Sequence, residues 1–355
     1  MSTAPVATDT MRAAVLRGWD DVAVEEVAVP ELAPDEVLCR VRACGICGTD
    51  LKLVSGGFAG RWPPSLPFVF GHEWAGEVVA LGSRAEASGL EVGDRVAAEN
   101  HAGCGTCARC REGRYNLCER AGKPGHRLYG HTAQGALAEY AARPAPLLHR
   151  LPASVSDEAG ALVNQGALAV HAVRRTGLEP GASVAVFGPG LLGLLAVQVA
   201  RAAGATTAIV VGRGSRLALA GELGATTVDY ERSDPVEAIR DLTDGRGVDR
   251  VYDCTGDPRV ISQALGAVAR GGRIALLGLT AGKSVDLAPD ALVLDEVDLM
   301  GIRSSPNAYP GMIALLARGE VRTEPLITHV YPLEEIGAAL EALRTRAAVR
   351  PILTP

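Results

Sequence analysis

The chain has 355 residues, enough for about two domains of ordinary size. Hydrophobic residues make up 48 % of it and aromatic residues only 4 %, so the core must be mostly aliphatic. The formal net charge of −6 argues against a nucleic-acid-binding protein, which usually carries a basic face. No apolar run reaches membrane-spanning length, and the first ten residues lack the pattern of a signal peptide. We therefore expect a cytoplasmic protein, in which the eight cysteines suggest metal ligands rather than disulfides.

The N-terminal part of the chain has the pattern of a β-rich domain whose loops carry metal-ligand residues. Residues 11–29 and 36–43 alternate or run apolar, as strands do. Beyond them, the thiol of Cys47 and the side chains of His72 and Glu73 are the types that zinc accepts. A zinc ion with one open position would polarise a substrate oxygen and lower its proton affinity. From spacing alone, a buried cysteine and a surface His-Glu pair is the safer interpretation.

Two stretches in this region resemble the zinc-dependent medium-chain alcohol dehydrogenase family: GICGTD at 45–50 and GHEWAGEVVALG at 71–82. The resemblance extends over residues 11–355 and implies a GroES-like substrate domain with a Rossmann cofactor domain. It implies that Cys47, His72 and Glu73 lie at a catalytic zinc ion and that the hydroxyl of Thr49 relays the proton. Lys52 stands where many family members extend this relay with a histidine, so we expect a different or slower proton exit.

Four cysteines then follow in the spacing C-x2-C-x2-C-x7-C. Thiols at this density predict a closed tetrahedral zinc site that folds a loop of little apolar content. The stretch, at about residues 100–120, resembles the structural-zinc lobe of the same family. Nearby arginines would also fit a nucleic-acid zinc ribbon, but the acidic chain favours a solvated face. The ligands are Cys104, Cys107, Cys110 and Cys118, the arginines are Arg109, Arg111 and Arg114, and the loop histidines His101, His126 and His131 are assigned to no metal.

A helix is predicted over residues 159–176, after a strand at 135–140, with Ser156 as the helix N-cap. In the family that the chain resembles, a Cys, Glu or Asp near the start of this segment is the remaining ligand of the catalytic zinc. The position is occupied here by Asn164, whose neutral amide oxygen is a poorer zinc ligand. Two alternatives follow: Cys47, His72 and Glu73 hold the ion with Asn164 weak or absent, or the catalytic zinc is partly lost.

A dinucleotide-binding unit begins at residue 183. The apolar run Ser183–Phe187 predicts a buried strand, residues 188–193 form a G-x-G-x-x-G turn, and residues 191–203 have helical spacing. The first glycine permits the turn, the second lets the backbone approach a pyrophosphate, and the third lets helix and strand pack closely. The phosphates would meet the N–H groups at the helix start. The residues predicted to bind this part of the cofactor are Gly188, Gly190, Leu191, Leu192 and Gly193.

The next strand, at residues 206–212, lacks the acidic residue that usually binds the ribose 2′-hydroxyl. It ends on Gly212 and is followed by Arg213 and Arg216. An arginine can form a charge-assisted pair with a 2′-phosphate, so NADP is favoured over NAD. Further apolar strands separated by helical stretches predict a doubly wound α/β sheet. These strands lie at 248–254, 273–279 and 297–302, followed by a helix at 310–319, a strand at 326–332 and a helix at 333–346.

We expect residues 1–158 and 305–355 to form the substrate and catalytic-zinc domain and residues 159–304 the Rossmann domain. The function predicted is a zinc-dependent oxidoreductase that interconverts an alcohol (a polyol, cyclitol or other secondary alcohol) and a carbonyl with NAD(P). The expected cofactors are two zinc ions per chain and NADP, and the partners a small-molecule substrate and a second or further copies in a homodimer or homotetramer. One alternative is an NADPH-dependent reductase of an activated double bond or iminium with marginal zinc. Another is a non-catalytic protein that binds zinc and a nucleotide.

Overall fold

The computed structural model describes residues 8–123, 126–280 and 282–355 and divides the chain into two units. The first consists of Met1–Asn164 with Leu326–Pro355, and the second of Gln165–Pro325. These limits differ from those expected from the sequence mainly at residues 305–325, which belong to the second unit. Hydrogen bonds tie this stretch to the helices of that unit: Gln198 Nε2 donates to Arg322 O (3.2 Å), and Arg174 Nη1 donates to Asn307 O (2.9 Å).

The α-helices of the described residues are α1 (Gly48–Val54), α2 (Ala108–Arg111), α3 (Asp157–Ala161), α4 (Val163–Arg175), α5 (Leu191–Ala202), α6 (Gly214–Glu222), α7 (Pro235–Asp241), α8 (Pro258–Ala267), α9 (Pro289–Leu294), α10 (Tyr309–Ala317) and α11 (Ile336–Arg344). Among the helices that the structure describes, none is long and apolar enough to span a membrane.

The strands of the same residues are β1 (Thr10–Gly18), β2 (Asp21–Ala28), β3 (Glu36–Gly45), β4 (Phe68–Val69), β5 (Glu73–Leu81), β6 (Arg95–Ala98), β7 (His101–Ala102), β8 (Arg127–Leu128), β9 (Tyr140–Pro144), β10 (Leu148–Arg150), β11 (Ser183–Phe187), β12 (Thr207–Gly212), β13 (Thr226–Asp229), β14 (Val248–Asp253), β15 (Val268–Leu276), β16 (Asp298–Gly301), β17 (Ile327–Pro332) and β18 (Arg350–Thr354).

The first unit is built on a sheet in the order β10-β6-β5-β3-β18-β17, with β9 also paired to β3. The long strand β3 runs antiparallel to β5, β9 and β18 and therefore joins the early and the last parts of the chain. A smaller sheet has the order β2-β1-β4. Aliphatic residues of these sheets and the helices beside them fill the core, together with the buried rings of Phe70 and Trp74. The β-rich start that the sequence predicts is confirmed.

The second unit is built on a parallel sheet in the order β13-β12-β11-β14-β15-β16. Its core is mostly aliphatic, as the low aromatic content requires, with the buried rings of Phe187, Tyr252 and Tyr309 as exceptions. The chain starts at β11 in the middle, winds outward to β13, then returns to β14 and winds the other way. In such sheets, ligands bind outside the carboxyl ends of the strands where the order reverses. The predicted doubly wound α/β fold is confirmed.

Two predicted elements are wrong in detail. The strand expected at residues 135–140 begins only at Tyr140, because the preceding N–H groups bond to a neighbouring loop: Gly135 N donates to Val69 O (2.7 Å) and Ala136 N to Phe70 O (3.0 Å). The helix expected at residues 159–176 is interrupted at Leu162, whose N–H bonds back only three residues, to Ala159 O (3.1 Å). Ser156 caps the first of the two pieces as predicted, accepting from Ala159 N (3.1 Å).

Candidate functional site

Cys47 is held at the N-terminus of α1 by a capping box. Its Sγ accepts a hydrogen bond from Thr49 N (3.2 Å), and its own N–H donates to Asp50 Oδ2 (2.9 Å). The thiol therefore faces the backbone N–H of Thr49 at the N-terminal end of the helix. The side chain of Thr49 is half-buried beside it, whereas Lys52 is exposed.

His72 lies in the loop before β5, and each of its ring nitrogens lies close to another side chain of the cluster. Its Nδ1 lies 3.3 Å from Asp50 Oδ1, and its Nε2 lies 3.4 Å from Cys47 Sγ. The carboxylate assigns the ring proton to Nδ1, so the lone pair of Nε2 points toward the thiol. Only 5 % of the His72 side chain and 1 % of the Asp50 side chain are exposed, so this orientation is enforced by packing.

Glu73, the first residue of β5, brings a carboxylate to the same nitrogen. Its Oε1 lies 3.6 Å from His72 Nε2, while its Oε2 lies 3.1 Å from Arg350 Nη1. Arg350 comes from β18 near the end of the chain, and its Nη1 also donates to Ile46 O. The buried arginine thus fixes the carboxylate from the side opposite His72.

Two of the separations between the side chains predicted as ligands suit a zinc ion. A tetrahedral shell with zinc bonds of 2.0–2.3 Å places neighbouring donor atoms about 3.3–3.8 Å apart. The separations of 3.4 Å from Cys47 Sγ to His72 Nε2 and of 3.6 Å from His72 Nε2 to Glu73 Oε1 match this. The buried group of possible ligand atoms that all lie within 4.8 Å of one another consists of Cys47, Asp50 and His72, and Glu73 contacts this group through His72 Nε2. Asp50 meets the ring nitrogen that faces away from the thiol, however, and therefore orients His72 instead of joining its ligand set.

The charges of the cluster are suited to a cation. Burial opposes protonation of His72, but the charges of Cys47 and Asp50 outweigh it and raise the pKa of His72 well above its ordinary value. Burial likewise opposes ionisation of Asp50, but the charge and hydrogen bond of His72 keep the pKa of Asp50 below its ordinary value. Negative charge at this site is therefore balanced by positive charge, which a metal ion would supply when the imidazole is neutral.

Asn164 lies at the start of α4 and reaches the same loop. Its Nδ2 donates a long hydrogen bond to the backbone carbonyl of His72 (3.5 Å). The amide group is thus near the ligand residues, as the resemblance implies, but its hydrogen bond is to the main chain of the His72 loop. An amide adds no negative charge to the cluster.

His131, one of the loop histidines that the sequence assigns to no metal, is buried beside His72. Its ring is buried, with its centroid 4.5 Å from that of His72 and 4.9 Å from that of Trp62. Its Nδ1 lies 3.3 Å from Tyr129 O. Burial and the charge of His72 lower the pKa of His131 to about 3, so it is a neutral polar wall beside the cluster. His101 and His126 are buried too, with their Nε2 atoms 3.1 Å apart.

The four predicted thiols of the lobe also come together. Their Sγ atoms all lie within 4.8 Å of one another, and Cys104 Sγ lies 4.0 Å from Cys110 Sγ. Backbone N–H groups point at the sulfurs, since Cys107 N donates to Cys104 Sγ and Cys104 N donates to Cys118 Sγ, each at 3.4 Å. Hydrogen bonds from Thr106 and Cys107 lower the pKa of Cys104 to about 5. Four thiols at tetrahedral spacing fit zinc and leave no place for a substrate oxygen.

The glycine turn after β11 has the shape that a dinucleotide needs. Gly188 has a positive φ of 97°, and its N–H donates to Val211 O (2.9 Å). A Cβ at Gly193 would lie 2.0 Å from Gly188 O, so only glycine allows α5 to start there. A Cβ at Gly190 would meet nothing within 4 Å, so the backbone faces open space at the point expected to meet a pyrophosphate. Leu191 and Leu192 form the first turn of α5.

Gly212 and Arg213 lie directly against this turn. A Cβ at Gly212 would lie 2.3 Å from Pro189 Cγ, so the end of β12 abuts the glycine turn. Arg213 is the N-cap of α6, and Arg216 lies in its first turn. The guanidinium of Arg213 is paired with Glu231 and lies 5.8 Å from the ring centroid of Tyr230. Neither Glu231 nor Arg350 could be found from sequence spacing, because Glu231 follows β13 and Arg350 lies in β18, each far along the chain from the residue that it pairs with.

Comparison with known proteins agrees with this geometry. The family model described as "Alcohol dehydrogenase GroES-like domain" matches residues 33–153, and the one described as "Zinc-binding dehydrogenase" matches residues 192–318. The chain is 38 % identical over 333 residues to a sorbitol dehydrogenase of Bacillus subtilis (strain 168), covering 93 % of each chain. It is 36 % identical over 324 residues to a D-arabitol-phosphate dehydrogenase of Enterococcus avium, covering 90 % of this chain and 89 % of the other. A structure from Sinorhizobium meliloti 1021 bound to NADP has a TM-score of 0.90 at 32 % identity, covering 98 % of this chain and 100 % of that one.

The chain therefore belongs to the zinc-dependent medium-chain dehydrogenase family. Its predicted GroES-like and Rossmann domains are confirmed. Within that family it is an enzyme of the NAD(P)-dependent alcohol dehydrogenase class. The alternative of a non-catalytic protein that binds zinc and a nucleotide is thereby set aside.

Proposed function

We propose that this enzyme interconverts a polyol, a cyclitol or another secondary alcohol and its carbonyl by hydride transfer with NADP. The observation that carries the proposal is that Cys47 Sγ and Glu73 Oε1 lie 3.4 Å and 3.6 Å from His72 Nε2. The sorbitol and D-arabitol-phosphate dehydrogenases among its relatives support a polyhydroxylated substrate. Zinc would bind to these three residues, with Asn164 as a weak further donor.

When bound, zinc supplies a Lewis acid that stabilises negative charge on a substrate oxygen, and the nicotinamide supplies the hydride acceptor. The side chains of the protein hold this centre and move the proton. Asp50 keeps the proton of His72 on Nδ1, and Arg350 fixes the Glu73 carboxylate. The hydroxyl of Thr49 takes the proton of the alcohol. Because Lys52 is exposed and is not an imidazole, the next carrier would be solvent.

The polar wall beside the cluster suits a substrate with several hydroxyl groups. His131 is neutral and its Nδ1–H faces Tyr129 O, so its other ring nitrogen is a hydrogen-bond acceptor. Trp62 packs against it and would cover the apolar face of the carbon chain. An aliphatic wall would instead leave the further hydroxyl groups of a polyol without partners.

The remaining cofactors and partners follow from the other sites. Cys104, Cys107, Cys110 and Cys118 would hold a second, structural zinc ion, which makes two per chain. The glycine turn would bind the pyrophosphate, and Arg213 would bind the 2′-phosphate of NADP. A homodimer or homotetramer could form through the edge strand β16, near which Leu279, Val293 and Leu294 are exposed. The expected location is the cytoplasm.

One observation favours a second candidate reaction. Asn164 provides an amide where an anionic ligand would hold the catalytic ion more firmly. With zinc marginal, the same site could reduce an activated double bond or an iminium with NADPH. Such a reductase would retain its activity after a chelator has removed the more weakly held ion.

The test is a screen of polyols, secondary alcohols, ketones and enones, with NAD and with NADP, before and after brief chelation. We expect polyol or secondary-alcohol oxidation that chelation abolishes and added zinc restores. Replacement of the relay hydroxyl in Thr49→Val should lower kcat by about 10²-fold, whereas Ser55→Ala at the other end of α1 should leave it unchanged. Enone reduction that survives chelation, with no alcohol oxidation, would establish the reductase instead.

A further inference from the structure

We propose that Glu231 is a specificity-determining residue for the cofactor: by pairing with Arg213 it weakens the discrimination between NADP and NAD. The inference rests on the proposed function, in which Arg213 binds the 2′-phosphate. The acid that usually follows the second strand of this fold is missing after β12. Here an acid, Glu231, instead pairs with Arg213 from the connection that follows the next strand, β13.

The register of the sheet brings the two residues together. Gly212, at the end of β12, is paired in parallel with Asp229, at the end of β13. Tyr230 N then donates to Gly212 O (3.2 Å), and Glu231 N donates to Asp229 Oδ1 (3.0 Å). Both connections therefore leave the sheet at the edge that the glycine turn occupies. Glu231 faces Arg213 across this edge as a result of main-chain pairing.

A hydrogen bond joins the side chains of Arg213 and Glu231, but their exposure to solvent allows them to separate. Glu231 Oε1 accepts a hydrogen bond from Arg213 Nη1, and the Tyr230 ring lies beside the guanidinium. The side chains of Arg213 and Glu231 are 51 % and 54 % exposed, so water and salt weaken their attraction. An ion pair of this kind opens readily when a stronger anion arrives. Arg232 is the further cation of this connection, and its Nε lies 3.7 Å from Asp229 Oδ2.

A 2′-phosphate and the Glu231 carboxylate would compete for one guanidinium. The phosphate carries close to two negative charges, so Glu231 must give up its pair with Arg213 and also repels the incoming group. The 2′-hydroxyl of NAD carries no charge and disturbs neither. Glu231 thus lowers the affinity for NADP selectively and leaves NAD as a usable second cofactor. This differs from an acid placed directly at the ribose, which would exclude the phosphate.

The test is Glu231→Gln, which keeps the shape of the side chain and removes its charge. We would measure by calorimetry the affinities of the zinc-loaded protein for adenosine 2′,5′-bisphosphate and for 5′-AMP. Neither ligand carries a nicotinamide, so hydride transfer does not affect the result. We expect the bisphosphate to bind about three- to tenfold more tightly, by an effect that shrinks at high salt, and 5′-AMP to be unchanged. The matched control is Glu320→Gln, which breaks the similar exposed pair with Arg318 in the same unit. It should change neither affinity.

Arg213→Ala separates this inference from the proposed function. If Arg213→Ala leaves the binding of the bisphosphate unchanged, the proposed phosphate contact itself is wrong. If it weakens the bisphosphate while Glu231→Gln leaves it unchanged or also weakens it, Glu231 supports the arginine and our inference is overturned. In the double variant Arg213→Ala/Glu231→Gln, we expect the tighter binding of the bisphosphate that Glu231→Gln alone produces to be mostly lost. The competition between carboxylate and phosphate requires the guanidinium of Arg213.

Discussion

At the scale of single residues, Asp50 joins the two sequence motifs of the candidate metal site. One of its oxygens accepts the N–H of Cys47 (2.9 Å), and the other lies 3.3 Å from His72 Nδ1. The same carboxylate therefore caps α1 and selects the tautomer of the imidazole. Asn164 has the opposite character, since it reaches the site without contributing a charge.

Because Asn164 is a neutral amide, we expect the catalytic zinc to be held less firmly than it would be with an anionic residue at this position. Asn164→Glu adds a third anion near Cys47 and Glu73, so we expect the catalytic zinc to leave at least about tenfold more slowly under a mild chelator, as about 1.4 kcal/mol would produce. Turnover falls if the added carboxylate occupies the position that the substrate oxygen needs. The isosteric control Asn164→Gln should release zinc at the rate of the unmodified protein. Equal release rates for the Glu and Gln variants would show that residue 164 does not reach the ion.

His171 predicts a pH dependence of stability. Burial, with Arg175 and Arg174 nearby, lowers the pKa of His171 from 6.5 to about 4. The unfolded chain therefore binds a proton more readily than the folded one, so this contribution is fully present above pH 6.5 and is lost as the pH falls toward about 4. His171→Leu should reduce the drop in melting temperature between neutral and acidic buffer. An unchanged drop would mean that His171 does not titrate as a buried neutral group.

The sequence identifies the residues of the site that lie in short motifs, and misses those that act across the sheet. Cys47, His72 and Glu73 are predicted as ligands because the two motifs that contain them resemble a known family, whereas their spacing alone favours no metal. Arg350 and Glu231 cannot, because their roles depend on strand neighbours far away in the chain. His131 was predicted as a loop residue, because a single histidine between glycine and threonine gives no sign that its ring will be buried.

At the scale of elements, two of the three glycines in residues 188–193 have different roles. A Cβ at Gly193 would lie 2.0 Å from Gly188 O, so Gly193→Ala should lower the free energy of unfolding by about 1–3 kcal/mol. A Cβ at Gly190 has open space around it and its φ of −76° suits alanine, so Gly190→Ala should fold normally. It should nevertheless weaken dinucleotide binding, because the methyl group would occupy the place of the pyrophosphate. Melting curves and NADP titrations of both variants test these two expectations. Unaltered NADP affinity in Gly190→Ala would contradict the assignment of the pyrophosphate to this turn.

The lobe around α2 should depend on its metal. It contains little apolar surface of its own, and its four thiols converge. Cys107→Ser leaves the proposed zinc shell open, so we expect poorly soluble protein with a lower melting temperature. Arg111→Ser, an exposed change in the same helix, serves as the control and should melt like the unmodified protein. A Cys107→Ser protein with unchanged melting and one zinc fewer would show that the lobe folds without the ion.

The elements of the second unit follow from the sequence more closely than those of the first. The strand Ser183–Phe187 and the start of α5 occur where the apolar run and the glycine turn place them. Residues 135–140 also have an apolar pattern, but the N–H groups of residues 135–137 bond to carbonyls at the end of β4 and in the loop after it. The local apolar pattern predicts a strand well where regular strands lie on both sides of it in the sheet. It predicts a strand poorly where the neighbouring segment is a loop.

At the scale of the whole molecule, two candidate metal sites of different character lie within the first unit. One combines a thiol, an imidazole and a carboxylate, and the other four thiols. Three protein donors leave a position for a substrate oxygen, whereas four close the shell. The first ion should therefore be the reactive one, and with Asn164 beside it also the more easily removed.

The most direct test of this account is metal analysis of the purified enzyme during brief chelation, with alcohol oxidation followed in the same samples. We predict two zinc ions per chain, loss of one in step with loss of activity, and recovery of both on adding zinc. The Cys47→Ala variant should be inactive and should be purified with a single zinc ion. That ion should be the one bound by the four cysteines of the lobe. A protein that contains only one zinc ion and retains full activity would contradict the metal-assisted mechanism at Cys47, His72 and Glu73.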